Sequence, residues 1–205
     1  MSPLLNLLKA EAGMIQTKGD RKKNFILDKA KDVFLKKGFA QVTMKDIVDA
    51  CEISRGGLYR YFGSTREIFL TLFQREAERE MQRAEEEMAD NLSAKDILLR
   101  HLKAHRESML AADLSLENAA YEFFLENPED QVIYQWQFDG MAEMIREILE
   151  YGCHTGEFNK TMDTAAVSRH LALFLSSMHL SLPLLKMPQP RIDEQFGLLL
   201  APILH

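Results

Sequence analysis

The sequence predicts an all-α protein in which an N-terminal three-helix helix-turn-helix domain is followed by a larger helical domain. Apolar residues recur at spacings of three and four along most of the 205 residues, and no segment shows the strict alternation of a strand. The 6 Pro and 10 Gly fall mostly between these periodic segments, where helix breakers are expected. Two short apolar segments near residue 50 are separated by a short turn, which is the spacing of a helix-turn-helix.

Composition places the chain among globular proteins, with 46% hydrophobic and 27% charged residues. Residues 170–185 form the longest stretch without Lys, Arg, Asp or Glu, which is shorter than the roughly 20 apolar residues of a membrane span. The N-terminus does not have the basic, apolar and small-residue order of a secretory signal. Cys51 and Cys153 are too few for a disulfide framework or a zinc set. We therefore expect a cytoplasmic protein with no membrane partner.

Charge is divided unevenly along the chain. Residues 1–66 contain 13 Lys and Arg against 7 Asp and Glu, a net charge of +6, whereas residues 67–205 have a net charge of −12. An excess of positive charge in one small region favours contact with a polyanion. The N-terminal third is therefore a candidate for contact with a polyanion; the alternative is that small domains differ in charge by chance.

The patterns predict three regions: an arm at residues 1–23, a helix-turn-helix domain at 24–66 and a helical domain at 67–205. The arm contains one apolar group and one basic group, namely Leu4, Leu5, Leu7 and Leu8, then Lys18, Arg21, Lys22 and Lys23. The first expected helix covers residues 24–37 and ends at Gly38. Its apolar stripe consists of Ile26, Ala30, Val33 and Phe34.

Two short helices form the predicted motif at residues 43–62. They are expected over residues 44–50 and 55–62, and each follows an N-cap hydroxyl, Thr43 or Ser54. In the larger domain, helices are expected over residues 65–89, 93–110, 116–127, 128–151, 163–182 and 191–204. The breaks between them include a loop at 152–156 and a stop at Pro183.

The last two helices predict a homodimer. The helix at 164–182 is apolar on more than one face, so it needs a second partner besides its own core. Two helices from each protomer, related by a two-fold axis, would form a four-helix interface. The candidate interface residues are Val167, Leu171, Leu175, Phe196, Leu199 and Ile203. The alternative is a central core helix in a monomer.

The second short helix of the motif has the chemistry of a DNA-reading surface. Burial of its apolar side against the first helix would leave Arg, Tyr and Gly side chains facing outward. Arg can form two hydrogen bonds with guanine, glycines allow close backbone approach, and capping hydroxyls at helix starts can meet phosphates. The candidate DNA-binding residues of the motif are Thr43, Lys45, Ser54, Arg55, Gly56, Gly57, Tyr59 and Arg60.

The motif resembles the DNA-binding motif of the TetR family of transcriptional regulators. Residues 43–62 read TMKDIVDACEISRGGLYRYF, and residues 34–39 read FLKKGF, which is similar to the family's first helix and the Gly-aromatic step after it. The Gly-Glu-Phe step at 156–158 is also common in the family. The resemblance implies a homodimer that binds a palindromic DNA operator. It also implies a C-terminal domain in which a small effector lowers DNA affinity.

Carried over residue by residue, the resemblance assigns Thr43 to a phosphate and Arg55, Gly56 and Gly57 to bases. Tyr59 would reach a phosphate or a base, and Arg60 would lie at the groove edge.

Four positions depart from the family pattern. Gly57 stands where Thr or Ser is usual, Cys51 where Ala is usual, and Glu52 where Gly is usual. Thr65 occupies the position of a phosphate-binding Lys, so the neighbouring Arg66 is the candidate for that contact.

The larger domain is expected to bind a mostly apolar effector, because it is rich in Phe and Met with isolated His and Tyr groups. The candidate ligand-binding residues are His105, Tyr121, Phe124, Trp136, His170 and Met178. The alternative for the aromatic residues is a place in the core. The effector would act as a ligand that releases a repressor from its operator.

Catalysis and metal binding have weaker support. His101 and His105 are spaced as two metal ligands can be, but Leu102 follows the first where the metalloprotease pattern needs Glu, so we expect no metal site. The sequence contains no catalytic triad order, phosphate loop or dinucleotide glycine pattern, so we expect no enzyme and no cofactor. Two rival functions stay open: a sensor of the same fold that does not bind an operator, and a small helical metalloenzyme.

Overall fold

The computed structural model describes residues 17–111 and 115–204, and within these ranges the chain is helical and forms no strand. The predicted all-α fold class is confirmed. Leu4, Leu5, Leu7 and Leu8 of the predicted arm lie outside the described residues. In chain order the α-helices are α1 (Lys18–Lys37), α2 (Met44–Cys51), α3 (Arg55–Tyr59), α4 (Thr65–Ala89), α5 (Ala94–Leu110), α6 (Leu116–Glu126), α7 (Gln131–Thr155), α8 (Thr164–Leu185) and α9 (Gln189–Leu200), with a 3₁₀ turn at Pro128–Asp130 before α7.

Helix α1 begins at Lys18, earlier than the predicted residue 24. Thr17 and Asp20 form a capping box, in which Thr17 Oγ1 accepts from the Asp20 amide at 3.1 Å and the Asp20 carboxylate accepts from the Thr17 amide at 3.0 Å. The basic residues after Thr17 are therefore helical. At the other end of the domain, α3 stops at Tyr59 rather than at residue 62.

A first apolar core joins the three N-terminal helices to the start of α4 and to α6. Its centre is a group of four aromatic rings, with centroid distances of 5.1 Å for Phe34 and Phe69, 5.2 Å for Phe39 and Phe69, and 4.7 Å for Phe39 and Phe123. Because Phe123 lies on α6, a helix of the larger domain completes the core of the smaller one. Any displacement of α6 would therefore disturb the helix-turn-helix domain.

A second apolar core joins the remaining part of α4 to α5, α7, α8 and α9. Its fully buried residues include Ala84, Ile145, Ile148, Ala172 and Leu175. Helix α4 contributes to both cores, with Phe69 in the first and Ala84 in the second. This single continuous helix therefore connects the two cores.

Two helices continue past their predicted ends. Helix α7 includes Gly152 and ends only at Thr155, because Gly156 takes the left-handed conformation (φ 84°) that closes the helix. The predicted loop at 152–156 is wrong over its first four residues. Gly152 is required for close packing instead, since a Cβ there would lie 2.1 Å from the Phe158 ring.

Helix α8 continues through Pro183 to Leu185. A proline has no amide hydrogen, so the His179 carbonyl one turn earlier loses its usual partner. The side-chain amide of Asn118 on α6 donates to that carbonyl at 2.9 Å. The predicted stop is therefore wrong because a neighbouring helix supplies the missing hydrogen bond.

None of the helices in the described ranges has the length and apolar character needed to cross a bilayer.

Candidate nucleic-acid interface and effector domain

Most of the predicted DNA-reading residues in α3 and at its C-cap are exposed. Leu58 is fully buried in the first core, whereas Tyr59 on the next position is 45% exposed. Arg55 lies over the Tyr59 ring, with its guanidinium carbon 5.7 Å from the ring centroid. Gly56 and Arg60 are also exposed. Two guanidinium groups and a phenol are therefore open to solvent in α3 and at the residue that follows it.

The capping residues fix the start of each short helix. The exposed Ser54 accepts a hydrogen bond from the half-buried Gly57 amide at 3.1 Å. Exposed Thr43 donates to Asp46 at 2.7 Å and its hydroxyl accepts from the Asp46 amide at 3.3 Å. Bonds from Lys37, at 2.6 Å, and from Thr43 lower the pKa of Asp46 to about 2. The exposed Lys45 lies in the first turn of the same helix, α2.

A basic strip beside α3 was not among the predicted site residues. The start of α1 and the residues in and around α3 border one groove. Its lining includes Lys18, Arg21, Lys22, Phe25, Ile53, Gly57, Arg60 and Tyr61. The sequence signal was the basic stretch itself, which was placed in an arm instead of on a helix. The capping box of Thr17 makes that stretch helical and places it beside α3.

Arg66, a predicted DNA contact, forms an ion pair with Asp130. Its guanidinium forms two hydrogen bonds to the Asp130 carboxylate, at 2.9 and 2.5 Å. Asp130 is only 5% exposed and lies in the turn before α7. This paired guanidinium therefore joins the start of α4 to the turn before α7, and its contact with DNA stays a prediction.

A second junction contact was missed by the sequence analysis. The Glu122 carboxylate on α6 accepts from the backbone amides of Phe39 at 2.8 Å and Ala40 at 3.4 Å. Gly38 makes this possible, because it adopts a positive φ of 73° and a Cβ there would lie 2.6 Å from a Glu122 oxygen. Helix α6 therefore holds the turn that leads into the DNA-reading helices.

The structure does not bring the six predicted ligand residues around one cavity. Trp136 is 67% exposed, and exposed His170 lines a groove between α8 and α9. Phe124 is buried in the first core and Met178 in the second. Tyr121 donates its hydroxyl hydrogen to the Ser176 carbonyl at 3.0 Å. The remaining residue of the six, His105, belongs to a polar cluster that the sequence did not predict.

That cluster is a chain of three histidines between two glutamates. His101 Nδ1 lies 3.1 Å from a Glu80 oxygen, and His105 Nδ1 lies 3.2 Å from His179 Nε2. His179 Nδ1 lies 3.8 Å from a Glu117 oxygen. Burial, the largest contribution, lowers the pKa of both His105 and His179. Burial therefore favours the neutral form of both imidazoles.

Five of the six predicted dimer residues are buried inside the protomer. Leu171, Leu175, Phe196, Leu199 and Ile203 are all at most 7% exposed and belong to the second core, and Val167 is half-buried. These five are core residues of the protomer, and two of them, Leu171 and Leu199, also line the groove between α8 and α9. The exposed apolar residues of the same helices point the other way: Leu173 (58% exposed), Leu180 (45%), Leu184 (81%), Leu185 (62%) and Leu198 (62%).

Comparison with known proteins agrees with this architecture. Residues 26–72 match the family model described as bacterial regulatory proteins, tetR family. The chain is 28% identical over 153 residues to the uncharacterized HTH-type transcriptional regulator YfiR of Bacillus subtilis, covering 73% of this chain and 74% of the relative.

Two solved structures show the same fold. One is the reduced form of E. coli NemR, with a TM-score of 0.70 and 14% identity over 89% of this chain and 98% of that one. The other is the transcriptional regulator FadR of Bacillus subtilis in complex with stearoyl-CoA, with a TM-score of 0.62 and 22% identity over 87% of this chain and 98% of that one.

Proposed function

We propose that this chain, whose residues 26–72 match the tetR family model of bacterial regulatory proteins, is a homodimeric repressor of that family without catalytic activity. It binds a palindromic operator and is released by a small, mostly apolar effector. The observation that carries the proposal is the exposed α3 face of Arg55, Tyr59 and Arg60 beside the basic start of α1.

The division of labour on DNA follows from chemistry. Arg55 on α3 enters the major groove, where a guanidinium can form two hydrogen bonds with guanine O6 and N7. Thr43 and Ser54, at the starts of α2 and α3, lie next to phosphates, and Lys18, Arg21 and Lys22 add sequence-independent attraction. Two such domains must be about 34–36 Å apart to enter successive major grooves.

Exposed leucines support the dimer. Leu173, Leu180 and Leu184 lie on one exposed side of α8, and Leu198 is exposed on α9. A monomer would leave these side chains in water, whereas a two-fold contact between α8 and α9 pairs would bury them. Burial yields about 25 cal/mol for each Å² of apolar surface removed from water.

Half-buried methionines support an apolar effector. Met81, Met109 and Met141 pack at the edge of the second core with Phe138. Methionine adapts its shape at little cost, so such a lining can open around an acyl chain or an aromatic ring. Stearoyl-CoA, the ligand in the Bacillus subtilis FadR structure, is an example of the chemical class.

Helix α6 is the proposed link between effector and DNA. It shares the first core with the DNA-binding helices and holds the Gly38–Phe39 turn through Glu122. To weaken operator binding 100-fold, the effector must prefer the DNA-incompetent state by about 2.7 kcal/mol, and the operator must weaken effector binding equally. Addition of stearoyl-CoA to a protein–operator complex is the first direct test of release.

The DNA-binding part is tested with a fluorescent duplex of the region upstream of this protein's own coding sequence. We expect tighter binding to this duplex than to a scrambled one at the same salt concentration. Replacement of Tyr59 and Arg60 by Ala should cost about 2–5 kcal/mol of binding free energy, at about 1–3 for each contact. Lys103→Ala, an exposed cation on α5, is the control and should bind normally. Equal affinity for both duplexes would favour the sensor that does not bind an operator.

A further inference from the structure

We propose that His105, Glu117 and His179 form a binding site for a divalent transition-metal ion, with Zn²⁺ as the reference ion. The three residues come from α5, α6 and α8, and one ligand atom of each lies within 4.8 Å of the other two. Two imidazoles and one carboxylate are a donor set that zinc uses in sites with an open fourth position. The site would therefore hold an ion and still accept a water or a ligand.

The distance between the two histidines fits this ion. In a tetrahedral site with Zn–N bonds of about 2.0–2.1 Å, two ligand nitrogens are about 3.3–3.4 Å apart. His105 Nδ1 and His179 Nε2 are 3.2 Å apart. Glu117 lies on the other side of His179, where its oxygen is 3.8 Å from Nδ1. The separation of the two histidine nitrogens is thus close to that of two zinc ligands, and the carboxylate side chain must turn to bring its oxygen to the same ion.

The surroundings hold the ligands in position. The His179 side chain is 1% exposed, and its backbone carbonyl accepts from Asn118, which follows Glu117 on α6. Helices α6 and α8 are therefore fixed against each other next to the site. The Glu117 side chain is 34% exposed, which leaves a route for an ion from solvent.

A further buried group beside the three residues favours a polar ligand there. The His101 ring packs edge-on against the His105 ring, with centroids 4.8 Å apart. Its Nδ1 faces Glu80, but its buried Nε2 has no hydrogen-bond partner among the described residues. A buried polar nitrogen normally has a hydrogen-bond partner, either a protein group or an ordered water. His101 thus adds an unpaired buried nitrogen to the side chains around His105.

Metal binding at this position would act on the DNA-binding domain. Glu117 lies in the first turn of α6, and Glu122 and Phe123 on the same helix contact the turn at residues 38–40. An ion would fix α6 to α5 and α8, so the regulatory part of the inference rests on the proposed function. The binding itself does not, because it is measured without DNA.

The test uses the full chain without a histidine tag, treated with a chelator and dialysed. Titration with Zn²⁺ in a calorimeter and with Co²⁺ by visible absorption should show one ion per chain. His179→Gln and Glu117→Gln should each lose more than the roughly 10–100-fold in affinity that loss of an outer partner costs. His154→Gln, an exposed histidine on α7, is the matched control and should bind as the unmodified chain does.

Circular dichroism establishes that each variant is folded. If the buried His179→Gln variant unfolds, the part-exposed Glu117→Gln variant decides the question. The proposal is overturned if the chain binds no Zn²⁺, if folded Glu117→Gln binds as tightly as the unmodified chain, or if His154→Gln weakens binding to the same extent. Those results would leave His105 and His179 as a hydrogen-bonded pair of neutral imidazoles.

Discussion

The guanidinium of Arg66 clamps the carboxylate of Asp130, with two hydrogen bonds of 2.9 and 2.5 Å between residues on opposite sides of the domain junction. Arg66 lies in the first turn of α4, directly after the DNA-reading helices, and Asp130 lies directly before α7. The Arg66 side chain is 48% exposed, whereas that of Asp130 is 7% exposed. The buried carboxylate therefore depends on this partner more than the arginine does.

Replacement of Arg66 by Ala tests whether this residue serves the junction or the DNA. We expect the free energy of unfolding to fall by about 1–3 kcal/mol, because the Asp130 carboxylate loses a charged hydrogen-bond partner. Urea unfolding measures this loss. We expect the salt dependence of operator binding to stay unchanged, whereas loss of a phosphate contact would reduce its slope by about one. A reduced salt slope with unchanged stability would mean that Arg66 contacts DNA instead of stabilising the junction. Lys103→Ala serves as the control.

Replacement of Arg21 and Lys22 by Ala tests the basic strip at the start of α1. These residues border the same groove as Gly57 and Arg60. We expect weaker binding to every duplex by a similar factor, because phosphate contacts carry no sequence information, and a salt slope lower by about one for each cation lost. Fluorescence anisotropy at several salt concentrations measures both. Unchanged binding would separate this strip from the interface, and unchanged helicity is the control for α1.

The helix-turn-helix could be predicted because its determinants are local. Thr43 and Ser54 cap helices through amides three residues later, and Leu58 is buried beside an exposed Tyr59. Each of these relationships spans only a few positions, so spacing in the sequence reveals it. The same reasoning failed at Thr17, where a capping box with Asp20 extended α1 into the expected arm.

The parts that could not be predicted depend on residues far apart in the chain. Glu122 meets Phe39, Asp130 meets Arg66, and His179 meets His105 only after the helices have packed. The orientation of α8 was also open, because a helix that is apolar on two sides does not specify which side faces its own core. Packing resolved this by burying Leu175 and exposing Leu184.

Substitutions of two leucines on α8 distinguish loss of the dimer from loss of the protomer core. Leu184 is 81% exposed and Leu175 is fully buried. Leu184→Glu should leave a folded chain that is monomeric, since the charge opposes burial at the interface without disturbing the protomer. Leu175→Glu should unfold the chain, because an unpaired buried charge costs several kcal/mol. Light scattering and circular dichroism measure the two outcomes. A dimeric mass for Leu184→Glu, or a monomeric mass for the unmodified chain at micromolar concentration, would contradict the proposed interface.

Glu157 caps α5 from across the second domain, and its effect on stability should depend on pH. Its carboxylate accepts from Ser93 Oγ at 2.5 Å and from the amides of Ala94 at 3.0 Å and Lys95 at 3.1 Å. Burial opposes the charge, but these hydrogen bonds prevail and lower the pKa of Glu157 to about 2. The stabilisation is therefore fully present above the unfolded-state pKa of about 4.3 and is lost as pH falls from there towards 2.

Glu157→Gln should consequently lower the free energy of unfolding by about 1 kcal/mol at pH 7, the typical value of a helix cap. The difference between this variant and the unmodified chain should shrink between pH 5 and pH 3, because in this range the Glu157 carboxylate of the unfolded chain takes up a proton while that of the folded chain stays charged. Thermal or urea unfolding over this pH range measures it. Glu107→Gln, at an exposed glutamate further along α5, is the control and should show no such difference. A difference for Glu157→Gln that stays constant from pH 7 to pH 3 would mean that the charge of Glu157 does not contribute to the cap.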